Sequence, residues 1–145
     1  MRGYFAFGVE GISKEYNLGN LVRSAHAFGA HFFFTINPDV DMKKLQVSDT
    51  SDAWKHMPFY TWESVDAMEL PHECSLVGVE FVEDSITLPS FRHPTRAAYI
   101  VGPEDGSLSP AMMAKCDHVI KIPTSFCINV GTAGAIVMYD RMLSM

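Results

Sequence analysis

The chain predicts an α/β fold built on a mostly parallel sheet with helices on both faces, and three observations carry that prediction. Residues 4–9 and 31–36 are aromatic and β-branched runs on either side of an amphipathic stretch, the strand–helix–strand pattern of a parallel sheet. Residues 97–101 and 118–122 are short apolar runs, as expected of strands covered on both faces. Each of these two runs gives way to residues that expose main chain in place of side chain. Gly102-Pro103-Glu104-Asp105-Gly106 follows the first, and Pro123 with a small-residue segment follows the second. Ligands of open α/β sheets sit outside the carboxyl ends of strands, so these two ends form a candidate small-molecule cradle.

Taken in order, residues 4–9 read as a buried strand closed by Gly11. Asn17 is a suitable N-cap for a helix over 18–28, where Leu18, Leu21, Val22, Ala25 and Phe28 recur at helical spacing until Gly29 stops it. On that helix Asn20 and Arg23 share a face, as do Arg23 and His26. Residues 31–36 form the second strand, ended by Asn37-Pro38. The polar stretch 39–57 has no clear assignment beyond a loop or cap at 48–52. Residues 59–62 suit a short strand, 64–70 a short helix stopped by Pro71, and 76–81 a central strand. Pro89 and Pro94 make 82–96 a long surface loop containing Phe91-Arg92-His93. A short helix begins at Leu108 or Ser109 with Pro110 in its first turn, and a final helix spans 129–143. No repeat or linker interrupts the chain, which is read as one domain over residues 1–145 with no appended domain.

Composition narrows the function classes. The 145 residues can bury a substantial core, and 48% hydrophobic content is more than a small monomer needs, which points to an oligomer. A net charge of −6 disfavours non-specific nucleic-acid binding through a long-range field but leaves room for a local basic patch. Cys74, Cys116 and Cys127 are odd in number and far apart, so neither a disulfide framework nor a metal site is indicated, and a reducing cytoplasm fits best. No signal peptide or membrane-spanning run is present. The dinucleotide fingerprint G-x-G-x-x-G is missing after the first strand, where Gly8-Val9-Glu10-Gly11-Ile12-Ser13 stands. The P-loop, H-E-x-x-H, G-x-S-x-G and zinc-deaminase patterns are also absent.

Three elements remain: Asn17-x-Gly19-Asn20-x-x-Arg23 at a helix start, Gly102-x-Glu104 after one strand, and Ile122-Pro123 followed by Ile128-Asn129-Val130 before the last helix. In this order and spacing they resemble the three motifs of the SpoU (TrmH) branch of the SPOUT methyltransferases, over nearly the whole chain. The resemblance implies transfer of a methyl group from S-adenosylmethionine to a ribose 2′-hydroxyl of RNA. It also implies a C-terminal deep trefoil knot, which nothing in periodicity or composition reveals. The knot's main chain would hold the cofactor at Val79, Gly102, Glu104, Ile122, Cys127 and Ile128, with no metal required.

By the same resemblance the active site forms across a homodimer, with Arg23 offered to the partner's cofactor pocket. A guanidinium stays protonated and forks onto phosphate oxygens, so its role is to place the RNA phosphate beside the 2′-hydroxyl and stabilise developing charge. Asn17 and Asn20 would orient Arg23 and the loop, Glu104 the second-motif turn, and Asn129 the third. Small structured RNA is the implied substrate, tRNA before rRNA, with Arg23, Lys14, Arg92 and Arg96 as phosphate contacts. The chain departs from the family pattern at Ser107, where a further glycine is usual, and at Cys127 and Gly131, where the third motif usually has serines. A second reading therefore stands beside the first: a catalytically silent knot-fold module that binds RNA or a protein.

Overall fold

The computed structural model describes residues 3–40 and 53–145. The first strand, β1 (Tyr4–Glu10), leads into α1 (Glu15–Ala27) and β2 (Phe32–Ile36). After α2 (Ala53–His56) come β3 (Phe59–Trp62), β4 (Ser75–Val79), β5 (Ile86–Thr87) and β6 (Arg96–Val101). The chain ends with α3 (Pro110–Lys115), β7 (His118–Lys121) and α4 (Val130–Ser144). Among the described residues these strands form one seven-stranded sheet in the order β3-β2-β1-β6-β4-β7-β5. Every pairing in it is parallel, as the strand–helix–strand pattern requires.

The period-two alternation of the strands builds a separate core on each face. On one face Phe7, Phe33 and Tyr99, cross-strand neighbours in register, stack and pack under Leu18, Leu21 and Val137 of α1 and α4. On the other, Ala6, Phe34, Ile36, Ala98 and Ile100 pack with Leu108 and Met112. The two helices of the first face approach closely because α4 presents glycine to α1. A Cβ on Gly134 would stand 2.6 Å from Leu21 Cδ2 and 3.0 Å from Phe7 Cζ.

Several sequence expectations need correction. The first helix starts at Glu15, so Lys14 occupies the N-cap, without a side-chain cap bond, and Asn17 lies in the first turn. Asn17 is buried and bonds other segments of the chain, as described below, because its amide serves the site and not the helix end. The expected helix at 64–70 is only turns, where Ser64 Oγ and main-chain oxygen accept from Ala67 and Pro71 follows closely. The expected loop at 82–96 contains β5 and a 3₁₀ turn, Leu88–Ser90, because Ile86 and Thr87 extend the sheet beside β7. The central strand ends at Val79, not at residue 81, and the last ends at Lys121. The unassigned stretch 39–57 contributes α2, whereas the loop expected at 48–52 lies outside the described residues.

The C-terminal helix is fastened at the other end of the sheet. Arg141, 5% exposed, donates to the main-chain oxygens of Pro94 (2.7 Å), Thr95 (2.9 Å) and Tyr4 (3.2 Å) and to Tyr99 Oη (3.0 Å). His93 is buried between Tyr99 Oη and Asp140 Oδ2, with one ring nitrogen 2.6 Å from each. Burial pushes the Tyr99 phenol up to about 12 although Arg141 opposes the shift. A guanidinium inside a core needs partners for its donors, and three main-chain carbonyls with a phenol take the four N–H groups of its two terminal nitrogens.

Candidate active site

The strand ends of β4, β6 and β7 open onto one cleft of about 640 Å³, counted to its mouth. Its wall includes all six residues expected to hold a cofactor: Val79, Gly102, Glu104, Ile122, Cys127 and Ile128. Val79 and Ile122 also pack against the first core, so the cleft floor continues the sheet interior. Gly102 makes room for the cleft's turn: a Cβ there would lie 2.9 Å from both Leu108 N and Ser107 C. Only glycine lets the strand end and the returning loop come this close.

That returning loop, 102–109, is held by carboxylates from its neighbours. Glu10, buried at the end of β1, accepts from Ser109 N (2.8 Å) and Ser109 Oγ (2.6 Å). Glu80, just past β4, accepts from Leu108 N at 2.7 Å. Ser109 in turn caps α3 by accepting from Met112 N. Two adjacent main-chain amides are thereby fixed by two strand ends that flank β6, which shapes the loop before any ligand arrives.

A chain of side chains then ties the three motifs together. Glu104 Oε1 accepts from Ser13 N (2.9 Å) and from Ser13 Oγ, and Glu104 Oε2 faces Asn17 Nδ2 at a long 3.5 Å. Burial alone would raise the Glu104 carboxyl, but the bonds from Ser13 outweigh it and hold the group below its ordinary value. Asn17 Oδ1 accepts from Asn129 Nδ2 at 3.2 Å, and Asn129 Oδ1 caps α4 by accepting from Thr132 N at 3.1 Å. The amide of Asn129 is therefore oriented at both ends. Asn20 sits against the same helix start, its Cβ within 3.4 Å of where a Gly131 side chain would begin.

The cationic residues are distributed differently. Lys14 is exposed beside Ser13, on the cleft side of the sheet. Arg23 is exposed, has no hydrogen bond or ion pair with another described residue, and is not in the wall of its own protomer's cleft. Six residues separate it from Asn17, about 9 Å along the helix. Arg96 begins β6 at the opposite edge of the sheet from Gly102 and pairs with Glu73 at 3.1 Å, and Arg92 precedes it in the chain. Neither Arg92 nor Arg96 reaches the cleft within one protomer. Glu10, Glu80 and Ser13 were missed by sequence reading. The two glutamates stand at strand ends, the position that could have signalled them. His26, which shares a helix face with Arg23, stacks on His56 with centroids 5.6 Å apart.

A parallel sheet with a cleft at the carboxyl ends of its strands defines an α/β protein with its candidate small-molecule site in the usual place for such sheets. Residues 5–139 match the model of the SpoU rRNA Methylase family, and the chain belongs to that family of RNA methyltransferases within the SPOUT superfamily. No curated protein matches the sequence. Among solved structures, the chain is similar to the SpoU methyltransferase AviRb from Streptomyces viridochromogenes in complex with AdoMet (TM-score 0.84, 20% identity). That match covers 100% of this chain and 63% of the other. A structure described as giving insights into the 2-OH methylation of C/U34 on tRNA aligns over 98% of this chain and 96% of that one (TM-score 0.86, 21% identity). The TrmH/SpoU tRNA modifying enzyme of A. aeolicus aligns over 99% and 76% (TM-score 0.77, 16% identity). At these identities the likeness is one of fold. The chain spans about three-fifths of the length of AviRb.

Proposed function

We propose that this protein transfers the methyl group of S-adenosylmethionine to a ribose 2′-hydroxyl of RNA, with tRNA the favoured substrate, as a homodimer whose C-terminal segment forms a trefoil knot. The observation that carries the reading is the convergence of all six expected cofactor residues on one cleft, one of which, Glu104, is joined through Asn17 to Asn129. The cleft fits the cofactor in kind. Val79, Ile122 and Ile128 offer an apolar slot for adenine, while the Gly102 turn offers main-chain polar groups at close approach. Lining by main chain also explains why Cys127 can stand where the family has serine.

Bound S-adenosylmethionine supplies an electrophilic methyl on a sulfonium. The chain's own residues supply alignment. Asn17 and Asn129 hold each other across the cleft's rim, Glu104 secures the loop at Ser13, and Arg23 places an RNA phosphate so that the adjacent hydroxyl faces the methyl group. Arg23 does not line its own cleft, which supports its serving the cleft of a partner. The dimer reading is supported by α4, where Ile136, Tyr139 and Leu143 are exposed at helical spacing, Tyr139 by 50% and Leu143 by 67%. The tRNA preference is supported by the 2-OH methylation neighbour, which this chain covers almost end to end.

The test is incubation of the purified protein with methyl-labelled cofactor and total tRNA, followed by digestion to nucleosides. Label in 2′-O-methylated nucleosides supports the reading. A well-folded dimer that binds no S-adenosylhomocysteine and labels no RNA would establish the silent-module reading in its place.

A further inference from the structure

We infer that Glu80 reads the vicinal hydroxyls of the ribose in the nucleoside held by the cleft; the inference rests on the nucleoside-cofactor reading above. Three charged residues line the cleft: Glu80, Glu104 and Lys121. Two of them are engaged. Glu104 uses one oxygen on Ser13 and faces Asn17 with the other, and Lys121 reaches the main-chain oxygen of Glu83 and lies over the Phe81 ring. Glu80 is half used. Its Oε2 is fixed by Leu108 N at 2.7 Å, while Oε1 has no hydrogen-bond partner among the described residues.

That free oxygen is not a buried orphan. Among the described residues, Tyr4 Oη is the one buried side-chain polar atom without a partner, so Oε1 of the cleft-lining Glu80 is open to an incoming group. The Leu108 bond restricts the plane of the carboxylate, and the Glu80 amide is itself tied to Ile120 O at 3.0 Å. The acceptor is thus oriented before binding, which lowers the ordering cost on contact.

The neighbours identify the group it meets. Val79, immediately before Glu80, forms the apolar slot with Ile122 and Ile128, where a flat base belongs. The group joined directly to that base is the sugar, and a cis-diol offers two hydroxyl donors to an acceptor-only carboxylate.

Calorimetric titration of the full-length protein with S-adenosylhomocysteine, its 2′-deoxy and 3′-deoxy analogues and 5′-methylthioadenosine tests this. Loss of a hydroxyl should weaken binding to the unaltered protein by roughly tenfold or more, as for a hydrogen bond to a charged group. In Glu80→Ala the deoxy analogues should bind as well as the parent. Glu80→Gln, which keeps an acceptor for Leu108 N, should retain the loop and only part of the discrimination. Equal discrimination in the unaltered protein and Glu80→Ala overturns the inference while leaving the cofactor reading intact. A Glu80→Ala penalty that vanishes with 5′-methylthioadenosine also overturns it, since Glu80 would then hold the amino-acid ammonium. No binding of any nucleoside to the unaltered protein overturns both.

Discussion

Replacing Asn129 by alanine removes two interactions that the structure allows to be separated. Its Oδ1 caps α4 through Thr132 N, and such a cap contributes about 1 kcal/mol. Its Nδ2 donates to Asn17 Oδ1, and Asn17 is only 5% exposed, so the orphaned carbonyl costs a further 1–2 kcal/mol or so. The sum, about 2–3 kcal/mol, corresponds to a Tm lower by roughly 5–10 °C for a domain of this size. Serine at the same position restores an N-cap acceptor but cannot reach Asn17, so Asn129→Ser should recover about 1 kcal/mol. Urea denaturation at one fixed protein concentration measures the stability half, and calorimetric titration with S-adenosylhomocysteine the site half. The account expects Asn129→Ser to fall between the parent and the alanine variant, about 1–2 kcal/mol below the parent, and to bind the cofactor more weakly. Equal stability of the alanine and serine variants would refute the capping argument, and full-affinity binding by Asn129→Ser would refute the bridge to Asn17.

Three further outcomes follow from the packing and the charges. Gly134→Ala forces a methyl against Leu21 and the Phe7 ring, and overpacking of about 1–3 kcal/mol outweighs the gain of about 1 kcal/mol in helix propensity, so the urea midpoint should fall. Arg141→Met strips donors from three carbonyls and from Tyr99, and should cost roughly 3 kcal/mol or more in the same assay; an unchanged midpoint would show that water replaces the guanidinium. Glu104 has its folded value held below the ordinary 4.5, so its contribution is complete above that value and is lost as pH falls through the lowered one. The stability advantage of the parent over Glu104→Gln should therefore be present at neutrality and vanish on acidification, whereas an advantage that grows in acid would contradict the assigned Ser13 bonds.

Much of the fold was legible because strand and helix periods are local. Residues 4–9, 31–36 and 97–101 are covered on both faces and carry continuous apolar runs, so their strands and the parallel order could be read directly. The six residues expected to hold a cofactor were singled out by motif resemblance, and they line one cleft. Roles set by distant partners were not. Asn17 looks like a cap from its neighbours alone, but it lies 87 and 112 positions from the residues it bonds. His93, in a proline-bounded segment, reads as surface loop, and only the arrival of Asp140 and Tyr99 buries it. Glu10 and Glu80 are marked locally only by their place at strand ends, and their role as loop clamps is set by Ser109 and Leu108, which reach them through the fold. The 64–70 segment shows the converse, a weak helical period overridden by turn-forming Ser64 and Pro71.

The most direct test of composite-site catalysis is complementation between two inactive variants. Arg23→Ala keeps an intact cleft, and Gly102→Val keeps Arg23 but blocks the cleft, since its side chain would start 2.9 Å from Leu108 N. Co-expressed and purified without separating mixed dimers from homodimers, the two should regain about a quarter of the parental methyl transfer, because about half of the dimers would be mixed and each of those would carry one complete site of two. Mixed dimers that form but transfer no methyl group to RNA would contradict the account.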